Sequence, residues 1–282
     1  MLVPSAAALS LLAIPVAHGW GTLGHATVGA IADHYLTAQA KSWVSTKLDG
    51  ATMASVASWA DTYRYTTAGR FSAPYHFIDA EDSPPSACSV NLNRDCGAGG
   101  CVVSAIANYT QRVQDGRLTH ENSKEALEFL IHFIGDVTQP LHDEAEQVGG
   151  NDIPVTWDGA TTNLHACWDT QMLEKAAGGG NTSATLSSFS ATLIGRIDSG
   201  SYSGQKASWL SCSNIKTASA CALAWAQDAN AFNCQYVLKT DENGKELDGT
   251  YYTGAEPIIE IQIAKAGYRL GDWINKMAAA NP

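Results

Sequence analysis

Residues 122–142, NSKEALEFLIHFIGDVTQPLH, decide the fold class and carry the first chemistry. Ala126, Leu127, Leu130, Ile131, Ile134 and Val137 recur at helical spacing; Asn122 with Glu125 resembles a capping box, and Pro140 is the stop. His132 and Asp136 stand four residues apart, so both side chains leave one face of this helix a turn apart. His142 lies just past the proline and can fold back toward them. An imidazole and a carboxylate aimed at one point are donors that zinc accepts.

The same period recurs on both sides. Val28, Ile31, Ala32, Tyr35 and Leu36 mark one face of a helix predicted within residues His25 to Leu48. Further helices are predicted over Leu164 to Ala177, Ala184 to Ile197, Ser219 to Val237, and Pro257 to Met277, with Pro257 at a first helical position. Two stretches break the pattern: Ser83 to Gly100, with its Pro-Pro pair, and Asp143 to Asn163, which holds Gly149-Gly150-Asn151. Within the second, Ile153 to Thr156 ahead of Asp158-Gly159 predicts a small hairpin. Trp43, Trp209, Trp225 and Trp273 are assigned to the core. With 282 residues and 45% hydrophobic content, one sizeable core is expected: a mainly α, single-domain helical fold with a small β-hairpin and disulfide-held loops.

The opening MLVPSAAALSLLAIPVAHG has an apolar run from Ala6 to Val16, then Ala17 and Gly19 at the small-residue positions of a cut before Trp20. It predicts a signal peptide over residues 1–19, although its start lacks Lys and Arg, and a zinc-dependent domain over 20–282. The run is too short to span a bilayer, and no basic cluster follows it. In an oxidising compartment six of the seven cysteines can pair. The expected scheme is Cys96 with Cys101, Cys212 with Cys221, Cys88 with Cys234, and Cys167 left over, although sequence alone does not fix it. Asn108-Tyr109-Thr110 and Asn181-Thr182-Ser183 are candidate N-glycan acceptors.

The formal charge is −11, the wrong sign for holding nucleic acid on a basic surface. A phosphate-binding site must therefore bring its own positive charge, and three divalent ions would leave −5. A second pair, His165 and Asp169, repeats the four-residue spacing. One such pair alone is more often a core histidine bonded to backbone; two pairs plus His142 shift the balance to metal. His25, Asp61 and His76 are further candidates, and with Trp20 they bring the donors to nine, about three for each of three ions. Oxygen and imidazole donors without thiolate favour catalytic over structural zinc. Arg64, a turn after Asp61, is either a surface arginine or the group that neutralises phosphate charge.

The motifs Trp20-Gly-x-x-Gly-His25, Trp59-Ala-Asp61, His76-Phe77-Ile78-Asp79, His132-x3-Asp136-x3-Pro140-x-His142, Gly149-Gly150-Asn151 and Asn163-Leu164-His165-x-x-Trp168-Asp169 follow one another along the chain. Together they resemble the S1/P1 family of trinuclear zinc nucleases. The resemblance implies a mostly helical fold shared with bacterial zinc phospholipases C. It implies that Asp61, His76, His132 and Asp136 hold one zinc, that Trp20 by its free amine and carbonyl, His25 and Asp136 hold a second, and that His142, His165 and Asp169 hold a third. It gives Phe77 a base to stack on, with Asp79 and Asn151 as polar contacts to that base. Cys167 departs from the small or aliphatic residue expected there; two residues from both His165 and Asp169, it points away from them.

The reading that follows is a secreted, monomeric, zinc-dependent endonuclease with Asp61, Arg64 and Asp136 as candidate catalytic groups. It would act on single-stranded RNA and DNA, leave 5′-phosphates, and release phosphate from 3′-mononucleotides, with no membrane partner. Two close zincs would acidify a water that attacks phosphorus in line. The alternatives are a zinc phospholipase C-like phosphodiesterase and a non-catalytic zinc-binding protein.

Overall fold

The computed structural model describes residues 19–280, so the predicted signal peptide lies outside them except for Gly19. The His120–Asp136 helix is the axis of the molecule: every residue from Ala126 to Asp136 is buried. It packs on the Val102–Val113 helix, the first helix (Gly21–Tyr35) and the last (Thr250–Ala280). The last helix is tied to its neighbours by Gln262 Nε2 donating to the Thr138 carbonyl (2.8 Å) and Trp273 Nε1 donating to Thr110 Oγ1 (3.0 Å). Burying a polar side chain with its partner made avoids the penalty of an unmade bond.

Several helix ends differ from expectation. The central helix starts at His120, and its cap is Thr119, whose hydroxyl accepts from the Asn122 N–H (3.3 Å); the Asn122 and Glu125 capping box does not form. The predicted helix over His25 to Leu48 breaks at Leu36, which is extended, and restarts at Ala38 because Thr37 Oγ1 caps the Ala40 N–H (3.2 Å). Pro257 is not a first position but sits inside the 31-residue last helix, where it forgoes one backbone bond that the long buried face outweighs. Ser183–Asp198 matches its prediction within a residue.

Residues 164–176 form one helical run with a wider turn, Cys167–Gln171, in its middle, and Asn233–Val237 is a second such turn after the Ala218–Phe232 helix. The hairpin is present: β1 (Pro154–Trp157) pairs antiparallel with β2 (Ala160–Asn163), Trp157 facing Ala160. Asp158 and Gly159 both take positive φ (50° and 72°), as a two-residue hairpin turn requires.

Cys88–Cys234, Cys96–Cys101 and Cys212–Cys221 are bonded, and Cys167 is free and buried. Trp209, Trp225 and Trp273 are core residues. Trp43 is not: it is half-buried at the edge of a surface groove of about 590 Å³, with the Lys47 ammonium 5.1 Å from its ring. No helix among the described residues is long and apolar enough to cross a membrane.

Candidate metal centre and substrate pocket

The central helix brings His132 and Asp136 to the middle of the molecule, both fully buried. The first helix supplies His25, the short Trp59–Tyr63 helix supplies Asp61, and the Arg70–His76 turn ends on His76. His132 Nε2 and His76 Nδ1 each lie 3.0 Å from Asp136 Oδ2, and 3.6 and 3.9 Å from Asp61 Oδ1. His25 Nε2 is 3.2 Å from the other oxygen, Asp136 Oδ1. The two donor groups His25–His132–Asp136 and Asp61–His76–His132 thus share His132, and Asp136 stands between them.

Close approach needs space at Gly135, where a Cβ would fall 2.8 Å from His25 Nδ1. His132 Nδ1 donates to the Ala57 carbonyl (2.7 Å), which fixes its tautomer and turns its Nε2 into the cluster. Burial opposes charge on His132, but Asp136 and Asp61 outweigh it and hold its pKa up to about 9. Burial also works against Asp136, yet His132, His25 and His76 keep it well below the usual carboxylate range. Burial dominates at His76 and brings it down to about 4.

The second group is His142, His165 and Asp169. His142 Nδ1 donates to the His76 carbonyl (2.7 Å), and His165 Nδ1 donates to the Gly149 carbonyl (2.6 Å). Their Nε2 atoms then face each other at 3.2 Å, and Asp169 Oδ2 is 3.2 Å from that of His165. Two neutral imidazoles committed in this way present lone pair to lone pair, an arrangement relieved by a metal ion between them or by a proton on one. Asp169 Oδ1 accepts from Gln139 Nε2 (2.7 Å). Gly149 has φ 58°, and a Cβ there would fall 2.6 Å from the Leu141 carbonyl oxygen, so glycine is needed to bring its own carbonyl to His165. A fourth acidic group, Asp82 with Glu144 and Cys88, offers no thiolate because Cys88 is in a disulfide.

Trp20 is fully buried, its Nε1 donating to Thr138 Oγ1 (3.0 Å). The backbone that enters it presses on the first cluster: a Cβ on Gly19 would lie 2.1 Å from Asp136 Oδ1 and 2.5 Å from His25 Nε2. Eight of the nine donor residues named from the sequence lie in these groups, and the backbone just before the ninth, Trp20, lies against the first of them. Their chemistry fits zinc: imidazole and carboxylate donors in a dry site, several with buried atoms that make no hydrogen bond, including both His25 nitrogens, His76 Nε2, Asp136 Oδ1 and Asp169 Oδ2.

Beside the second group is a cavity of about 120 Å³ lined by Arg64, Phe77, Asp79, Asn151, His142 and His165, among others. It joins every substrate-binding residue named from the sequence to two of the metal donors. Phe77 is 36% exposed, hence wall rather than core. Asn151 Nδ2 is tied to the Val148 carbonyl (2.9 Å), which leaves the amide oxygen as acceptor. Sequence reasoning missed Gln139, Glu144 and Val148. Only Gln139 had a signal, its place between Asp136 and His142.

Residues 20–279 match the family model described as S1/P1 Nuclease. Nuclease P1 of Penicillium citrinum is 51% identical over 264 residues, 92% of this chain and 97% of that protein. Nuclease S1 of Aspergillus oryzae is 46% identical over 284 residues, 99% of this chain and 98% of its own. Among solved structures, Clostridium perfringens alpha-toxin aligns with 94% of this chain and 64% of its own length at 14% identity, TM-score 0.46.

Proposed function

The chain belongs to the S1/P1 nuclease family and is a nuclease, a phosphodiesterase, and from that premise we propose that it is a secreted endonuclease that needs three zinc ions, cleaves single-stranded RNA and DNA to 5′-phosphates, and dephosphorylates 3′-mononucleotides. The observation that carries the reading is the convergence of three buried His and Asp donor groups beside a cavity with an exposed aromatic ring. Asp61, His76, His132 and Asp136 would hold one ion, Trp20, His25 and Asp136 a second, and His142, His165 and Asp169 a third.

When bound, zinc supplies an acidified water as nucleophile and positive charge for the phosphate oxygens. The side chains do the rest. Asp61 and Asp136 place carboxylate oxygens 3.6 and 3.0 Å from His132 Nε2, where they would help to hold the ion and could take up the water's proton. Arg64, on the cavity wall, donates to the non-bridging phosphate oxygens. Phe77 stacks on the base 5′ of the cleaved bond, and Asp79 and Asn151 accept hydrogen bonds from its edge. A base held by both its face and its edge must be unpaired, which selects single strands. A phosphatidylcholine substrate is not favoured, since this wall is a base platform.

Cleavage before Trp20 would free its α-amine at the first cluster, as the position of Gly19 supports. Bonded disulfides fit an oxidising compartment, and Asn108 and Asn181 are exposed, as glycan acceptors must be. The test is zinc per chain on the secreted protein, with hydrolysis of single-stranded RNA and DNA before and after chelation. About three zincs with chelator-sensitive cleavage is expected. Full zinc with no cleavage would leave a binding protein or another phosphoesterase.

A further inference from the structure

A strand that is cut internally has a base on each side of the scissile phosphate, and the cavity takes only one. Its volume of about 120 Å³ is well below the ~300 Å³ at which ligand pockets usually begin. The second base must therefore rest on the surface beside it. Among the described residues, the large apolar side chains most open to solvent are Tyr65 (58%), Phe71 (48%), Phe77 (36%) and Val148 (63%). Phe77 and Val148 line the cavity. Phe71 packs by its edge against Tyr75 and Phe129, so the aromatic cluster behind it accounts for its place. Tyr65 is not among the residues that line the cavity.

Tyr65 is held by Arg64, itself a cavity wall. Arg64 Nη2 donates to the Tyr65 hydroxyl (2.8 Å), and the guanidinium carbon lies 5.0 Å from the ring centroid. An exposed aromatic ring ordered by an arginine is a ready stacking surface, because part of the entropy of fixing it is already spent. Arg64 is thus both a wall of the cavity that Phe77 lines and the hydrogen-bond partner of Tyr65, so one guanidinium links the two rings.

We propose that Tyr65 is the stacking platform for the base on the 3′ side of the cleaved bond, an assignment that rests on the nuclease reading above. A 3′-mononucleotide has no such base, so the two substrate types separate the roles. The experiment is kcat/KM on a dinucleotide and on a 3′-mononucleotide for wild type, Tyr65→Ala and Tyr65→Phe. The ratio of dinucleotide to mononucleotide should fall about tenfold in Tyr65→Ala and return in Tyr65→Phe, which keeps the ring and loses the bond to Arg64. The same split should appear in Kd for phosphorothioate analogues measured by calorimetry. An equal loss on both substrates would mean that Tyr65 only steadies Arg64, and an unchanged ratio would mean that no base rests there; either overturns the platform. Wild-type protein that splits neither substrate would overturn the nuclease reading itself, a separate failure.

Discussion

The two donor regions are built differently. His25, His132 and Asp136 stand on long helices whose interiors are packed on all sides, and all three are fully buried. His142, His165 and Asp169 stand on a four-residue turn and on a helical run with a widened turn, and two of them are 3–5% exposed. The first region gets the positions of His25, His132 and Asp136 from helix packing, with one hydrogen bond from His132 to the Ala57 carbonyl beside it. The second gets its geometry from single hydrogen bonds to the carbonyls of His76 and Gly149 and from Gln139. Positions fixed by a packed core resist change as a unit, whereas positions fixed by individual bonds can be loosened one at a time.

That contrast can be broken by substitution. Asp136→Asn should have the largest effect, since its two oxygens face different donors; activity should fall by more than about a hundredfold and two ions should leave together. Metal analysis that finds all three retained would remove the shared role. Asp169→Asn should release one ion and spare the pair at the first region; a loss of all three would mean the regions are not separable. Gln139→Ala removes one support of Asp169 and should weaken only the third ion, by roughly tenfold in affinity. Phe77→Ala should raise KM for a 3′-mononucleotide about tenfold while leaving zinc content as it was; unchanged KM would make Phe77 plain wall.

The smallest effect tests the first helix away from its donor. Burial raises the Asp33 carboxyl to about 6, against the backbone N–H groups of Ala54 and Met53. Between the unfolded value of about 3.9 and 6 the folded chain keeps a proton that the unfolded chain has released. The contribution of this group to stability therefore falls as pH rises through that window. Asp33→Asn should raise the Tm by roughly 3 °C at pH 7 and much less at pH 4, with zinc content unaltered. An equal shift at both pH values would mean that the folded carboxyl ionises normally.

What could be read in the chain follows from how local its causes are. The four-residue pairs at His132 and His165 were legible because helical period alone puts their members on one face, and the hairpin because Asp158-Gly159 permits the positive φ its turn needs. The break at Leu36 and the start of the last helix were not, because the Thr37 N–H and the Tyr35 carbonyl are taken up by Asn275, 238 and 240 residues away, and the buried face around Pro257 acts only once its neighbours are in place. Gln139 and the Gly149 carbonyl escaped notice for a related reason. Their partners are Asp169 and His165, 30 and 16 residues away, and no period connects them.

Gly19 has a consequence for the cell that makes this protein. While the chain is uncut, its own backbone leans on Asp136 and His25, and the nitrogen of Trp20 is an amide with no lone pair to offer. On the proposed reading, the enzyme is therefore inert for as long as it shares a compartment with the messages being translated. On that reading, removal of the signal would also complete the second ion's donor set, so that processing and activation would share one cut.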